Sequence, residues 1–124
     1  MIGKQKLENI AILEKSINHL QAQGFENIKA DMPGYETPKT FLKKGAGSNM
    51  VPDISAVKNG LKHYFDISLK LDKPSILKSK WLLLDTYSRL NAAVFKIITT
   101  KGHFKFTDQL LEDINLTNKE PLKI

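Results

Sequence analysis

The chain contains no cysteine, which excludes disulfide frameworks and thiolate metal sites. It is also nearly without arginine: of 19 basic residues only Arg89 is not a lysine. Lysine is a hydrated point charge and lacks the planar fork that reads base edges, so any nucleic-acid contact is expected to follow the backbone and tolerate sequence. No apolar run approaches the roughly 20 residues that cross a bilayer. The start, Met1-Ile2-Gly3-Lys4-Gln5-Lys6, leads into a charged amphipathic segment and does not have the layout of a secretory leader. A cytoplasmic setting with no membrane partner is the expectation. The three histidines, His19, His63 and His103, show no ligand spacing, so zinc is not expected. Gly45-Ala46-Gly47-Ser48 lacks the phosphate-loop pattern, and no serine triad can be assembled from local signals.

What remains is a chain of 124 residues with a formal net charge of +6. That length suits one domain, expected over residues 1–114, with a loose tail from 115 to 124. The positive balance favours polyanionic partners, although lysines also serve simply to keep a surface solvated. Leu7, Ile10, Leu13, Ile17 and Leu20 recur at helical spacing and predict a helix over residues 4–23, stopped by Gly24. A strand is expected over 25–30, then a long basic loop with Pro33-Gly34 and Lys43-Lys44-Gly45. Asp72 and Pro74 open a second helix running to about 91. Residues 93–100 form a β-branched strand, 103–106 a short strand after Lys101-Gly102, and Thr107 caps a last helix. This order predicts an α/β (α+β) fold, a mixed central sheet flanked by helices.

The most informative segment is a hairpin. Met50 to Lys58 and Leu61 to Lys70 flank Asn59-Gly60, a strong two-residue turn signal. Phe65, Ile67 and Leu69 alternate with Tyr64, Asp66, Ser68 and Lys70, so Asp66 and Lys70 share a face. Asp53, in Val51-Pro52-Asp53-Ile54, supplies a second carboxylate from the other arm. Two close carboxylates repel, and burial adds to the cost of their charge. A divalent cation relieves both, and a nearby lysine suits the charge that develops on a phosphate. Acids and lysines on a strand are also common as a solvated edge.

These residues resemble the PD-(D/E)XK nuclease superfamily, in particular its small single-domain members, the Holliday-junction resolvases and VRR-type nucleases. The resemblance runs from the first helix through the strand at Ala93 to Thr100. It implies a restriction-endonuclease-like αβββαβ core, Mg²⁺ (or Mn²⁺) as cofactor, DNA as partner and a homodimer. Asp53 and Asp66 match the two strand acids, and Glu14 the helix acid. The Ile67 carbonyl would complete the metal ligands. Ser68 stands where the family lysine is expected, and Lys70 is the displaced catalytic candidate. Lys80 matches the polar residue on the following helix. Lys39, Lys43, Lys44, Ser68 and Lys80 are the expected nucleic-acid contacts. The implied activity is metal-dependent endonuclease cleavage of DNA; the alternative is a catalytically inactive module of the same fold. Repulsion between the acids further predicts that Asp66→Asn leaves the metal-free protein as stable as before, or more so.

Overall fold

The computed structural model describes residues 4–38, 41–42 and 49–124. Helix α1 (Lys4–Ala22) is followed by strand β1 (Glu26–Ala30) and by two short strands, β2 (Phe41–Leu42) and β3 (Asn49–Met50), which pair with each other. Strands β4 (Ile54–Lys58) and β5 (Leu61–Ser68) form the hairpin. Then come α2 (Pro74–Leu90), β6 (Val94–Thr99), α3 (Phe104–Asp113) and β7 (Leu122–Lys123). The main sheet has the order β1-β4-β5-β6-β7. Its first three strands are antiparallel, and β5-β6 and β6-β7 are parallel. Among the described residues the fold is therefore α+β, with a mixed five-stranded sheet and three helices, the class the sequence predicts.

Local chemistry explains the main elements. Asn59 and Gly60 both take positive φ, 54° and 75°, as a two-residue hairpin turn requires. Gly24, at φ 90°, ends α1, and the Phe25 N–H caps the Leu20 carbonyl at 3.1 Å. Alternation along β5 divides the core. Phe65, Ile67 and Leu69 pack with Leu13, Ile17 and Leu20 of α1 on one face. Tyr64 packs with Leu77, Trp81 and Leu84 of α2 and Leu110 and Leu111 of α3 on the other. Trp81 and Leu84 are fully buried, and such a leucine contributes about 2 kcal/mol relative to an exposed one.

Four local expectations are corrected. Strand β5 ends at Ser68, so Leu69 and Lys70 lie in the turn that follows, where the Asp72 N–H donates to the Leu69 carbonyl. The cap position of α2 is Lys73, without a side-chain capping bond, in place of Asp72. Residues 104–106 open α3 and form no strand, and Thr107 sits inside that helix. Its hydroxyl is turned to the sheet, within hydrogen-bond distance of Ser68 Oγ (2.7 Å), Thr99 Oγ1 (3.2 Å) and the His103 carbonyl (2.8 Å). Finally, the tail is anchored at both ends of its course. Lys119 Nζ donates to the Phe95 carbonyl and pairs with Asp85, and the Ile124 N–H donates to the Thr99 carbonyl beside β7. Among the described residues, no helix is long and apolar enough to cross a membrane.

Candidate active site

Because β4 and β5 are antiparallel, the start of one and the end of the other meet at the same end of the sheet. Asp53 immediately precedes β4, and Asp66 lies near the end of β5. Both border a cavity of about 550 Å³. Ile10 and Leu13 of α1, the Asp31–Pro33 turn, Leu71–Lys73 before α2, and Ile76, Leu77 and Lys80 of α2 line it. Asp66 is fully buried, whereas the Asp53 side chain keeps 27% exposure towards this space.

Each acid is fixed through one carboxylate oxygen. The Ile67 N–H donates to Asp53 Oδ2 at 2.7 Å. Trp81 Nε1 donates to Asp66 Oδ2 at 2.8 Å. The remaining oxygens both face Lys80: Nζ lies 2.7 Å from Asp66 Oδ1 and 3.8 Å from Asp53 Oδ1. Asp66 Oδ1 nevertheless has no aligned hydrogen-bond donor. Burial, followed by the charge of Asp66, pushes the Asp53 carboxyl well above its ordinary range, and Lys80 and the Ile67 N–H only partly oppose this. For Lys80, burial works against the ammonium, but Asp66 and Asp53 outweigh it and hold its pKa above the usual lysine value. The two acids thus favour the charged form of Lys80.

The expected residues divide clearly. Asp53 and Asp66 converge, as does Lys80, whose ion pairs with both acids the sequence reading did not foresee. Glu14 is exposed and absent from the cavity lining. It sits about 100° round the helix from the buried Leu13 and on the far side of Ile10 from the core centre. Lys70 is exposed and also off the cavity, because the alternation that aligned it with Asp66 stops at Ser68. Ser68 does keep the face of Asp66 but is fully buried and bonded to Thr107 beneath α3, so it cannot reach a ligand in the cavity. Lys39, Lys43 and Lys44 lie outside the described residues. Asp31, Asp72 and Lys73 at the cavity, and Trp81 behind Asp66, carried no motif signal, since their role depends on the meeting of distant elements.

The oxygen donors at the cavity are of the chemical type that a hard divalent cation takes. Among the described residues, four aspartates, Asp31, Asp53, Asp66 and Asp72, against two lysines border the cavity, a negative pocket in a chain of net charge +6. Ile67 adds a carbonyl. Its N–H is aimed towards β4, and in a strand its carbonyl points the same way. The Ile54–Phe65 register puts Pro52 opposite, and proline has no N–H to offer it. Among the described residues there is no cluster of three His, Cys, Asp or Glu side chains able to hold a metal. A cation here would have two carboxylates, one carbonyl and water, a set suited to Mg²⁺. No protein-family model, no curated protein and no solved structure matches the chain.

Proposed function

We propose that this protein is a metal-dependent nuclease that hydrolyses phosphodiester bonds in DNA, with Asp53, Asp66 and Lys80 as its active centre. The observation that carries this is the convergence of two carboxylates, one just before β4 and one near the end of β5, and one lysine from α2 at a single cavity. Asp53 Oδ1, Asp66 Oδ1 and the Ile67 carbonyl would hold Mg²⁺ or Mn²⁺. When bound, the cation supplies an activated water and neutralises phosphate charge. The chain's own residues do the rest. Trp81 and the Ile67 N–H orient the two carboxylates before any substrate arrives. Lys80, held charged, donates to the phosphate oxygens as negative charge builds in the transition state, the role the family resemblance first suggested for Lys70. The net charge of +6 favours approach of a polyanion. Pairing into a homodimer, which the resemblance implies, would suit a branched substrate with two strands to cut.

One observation favours a second reading, an inactive module of the same fold. Lys80 already sits against both acids, and among the described residues no third acid joins them in a metal-binding cluster. The test is incubation with branched, single-stranded and duplex DNA in Mg²⁺ or Mn²⁺. Cleavage abolished by EDTA and by Asp53→Asn supports the nuclease. DNA binding without cleavage under every condition supports the module.

A further inference from the structure

This inference rests on the reading of Asp53 and Asp66 as a cation site. In the structure the position such a cation would take is held by Lys80 Nζ, which faces Oδ1 of both acids. A dication and an ammonium cannot occupy the same contacts: at 4 Å their repulsion is roughly twice that of two unit charges, large even where solvent screens it. One must leave for the other to bind. Lys80 has a flexible four-carbon stem on a helix, so the ammonium can swing without moving the backbone. Trp81 holds Asp66 through Oδ2, so the carboxylate stays aimed when Oδ1 is released. A second seat lies close by. Asp31 borders the same cavity and is exposed, and its N–H donates to the Asp53 carbonyl at 3.0 Å. Its charge is near enough to stabilise the Lys80 ammonium.

We propose that Lys80 is a displaceable internal counter-ion, leaving the acid pair for Asp31 as a divalent cation enters. In the cation-free protein it keeps two close acids compatible with folding. In the loaded protein it waits at the cavity wall, beside the place a phosphate would take. Asp31 is then a positioning residue for the lysine and not a ligand.

The test is calorimetric titration of the full chain with Mn²⁺ alone, for wild type, Lys80→Met, Asp31→Asn and the double variant. Lys80→Met should bind Mn²⁺ at least about tenfold more tightly, because an incumbent charge has been removed. Asp31→Asn should weaken binding several-fold when Lys80 is present and clearly less in the Lys80→Met background, where only its charge at the cavity is lost and nothing needs a second seat. Lys80→Met that binds no more tightly than wild type overturns the proposal. Equal effects of Asp31→Asn in both backgrounds overturn the role of Asp31. Absence of Mn²⁺ binding in both wild type and Lys80→Met overturns the cation site itself, a separate failure. Should Lys80→Met not fold, the ¹⁵Nζ resonance of Lys80 in wild-type protein decides. It should move as Mg²⁺ is added, and a resonance unmoved at saturating Mg²⁺ refutes displacement.

Discussion

Asp66→Asn is the most informative single change, because the sequence and the structure disagree on its sign. Repulsion between two acids predicts neutral or improved stability. The geometry reverses this. Asp66 is fully buried and contacts Lys80 Nζ at 2.7 Å, while the lysine side chain keeps only 16% exposure. Removing one partner of a buried pair costs about 3–5 kcal/mol, since the remaining charge is stranded. Two things reduce that. Asp53 still faces Lys80 at 3.8 Å, and its own pKa falls once the neighbouring charge is gone. If the asparagine oxygen keeps the Trp81 bond, its amide turns donor against donor towards the ammonium. A net loss of about 2–3 kcal/mol is expected. With a urea m-value of about 1.5 kcal/mol per molar, the unfolding midpoint should fall by roughly 1.3–2 M. Urea titrations of the metal-free protein in EDTA measure this. A midpoint equal to or above wild type refutes the view that Lys80 makes the acid pair a stabilising unit.

Other expectations follow from the same geometry. Lys80→Ala should abolish DNA cleavage while Lys70→Ala cleaves at the wild-type rate, and an assay of initial rates separates the two lysines. Ala92, just past α2, takes φ 52°, and the following N–H caps the Ser88 carbonyl at 2.9 Å; Ala92→Gly should raise stability by about 1 kcal/mol in a thermal melt. His63, buried with its pKa lowered, refuses in the folded state a proton that the unfolded chain accepts. Stability from this group is complete above pH 6.5 and falls as pH drops below it, so urea midpoints between pH 5 and 8 should decline at the acid end in wild type and less in His63→Leu.

Much of the fold was legible because it is written in short-range patterns. The positive φ of Asn59 and Gly60 and the alternation from Tyr64 to Ser68 need only neighbouring residues. The Asp53–Asp66 meeting followed from that hairpin alone. Lys70 was misplaced because alternation persists only while the strand does, and a ladder ends where its partners end. The tail looked loose because two residues of β7 carry little intrinsic preference, and its order comes from contacts with Phe95, Thr99 and Asp85 far back in the chain. Residues 103–106 show the same limit, since Thr107 within α3 is held by a buried hydroxyl network that only the assembled sheet provides. The resemblance named Lys80, but its ion pairs with both acids were hidden for a geometric reason. Its helix begins beside the end of β5, and the approach of Nζ to both acids depends on how α2 packs, not on any spacing in sequence.

The most direct measurement is an anomalous-scattering map from a crystal of this chain grown or soaked with Mn²⁺. A peak about 2.0–2.2 Å from the free oxygens of Asp53 and Asp66, the range for a hard divalent cation of this size, with Lys80 turned away, is the expected result. A map with no peak at that pair, and Lys80 still seated on both carboxylates at saturating Mn²⁺, would contradict the account.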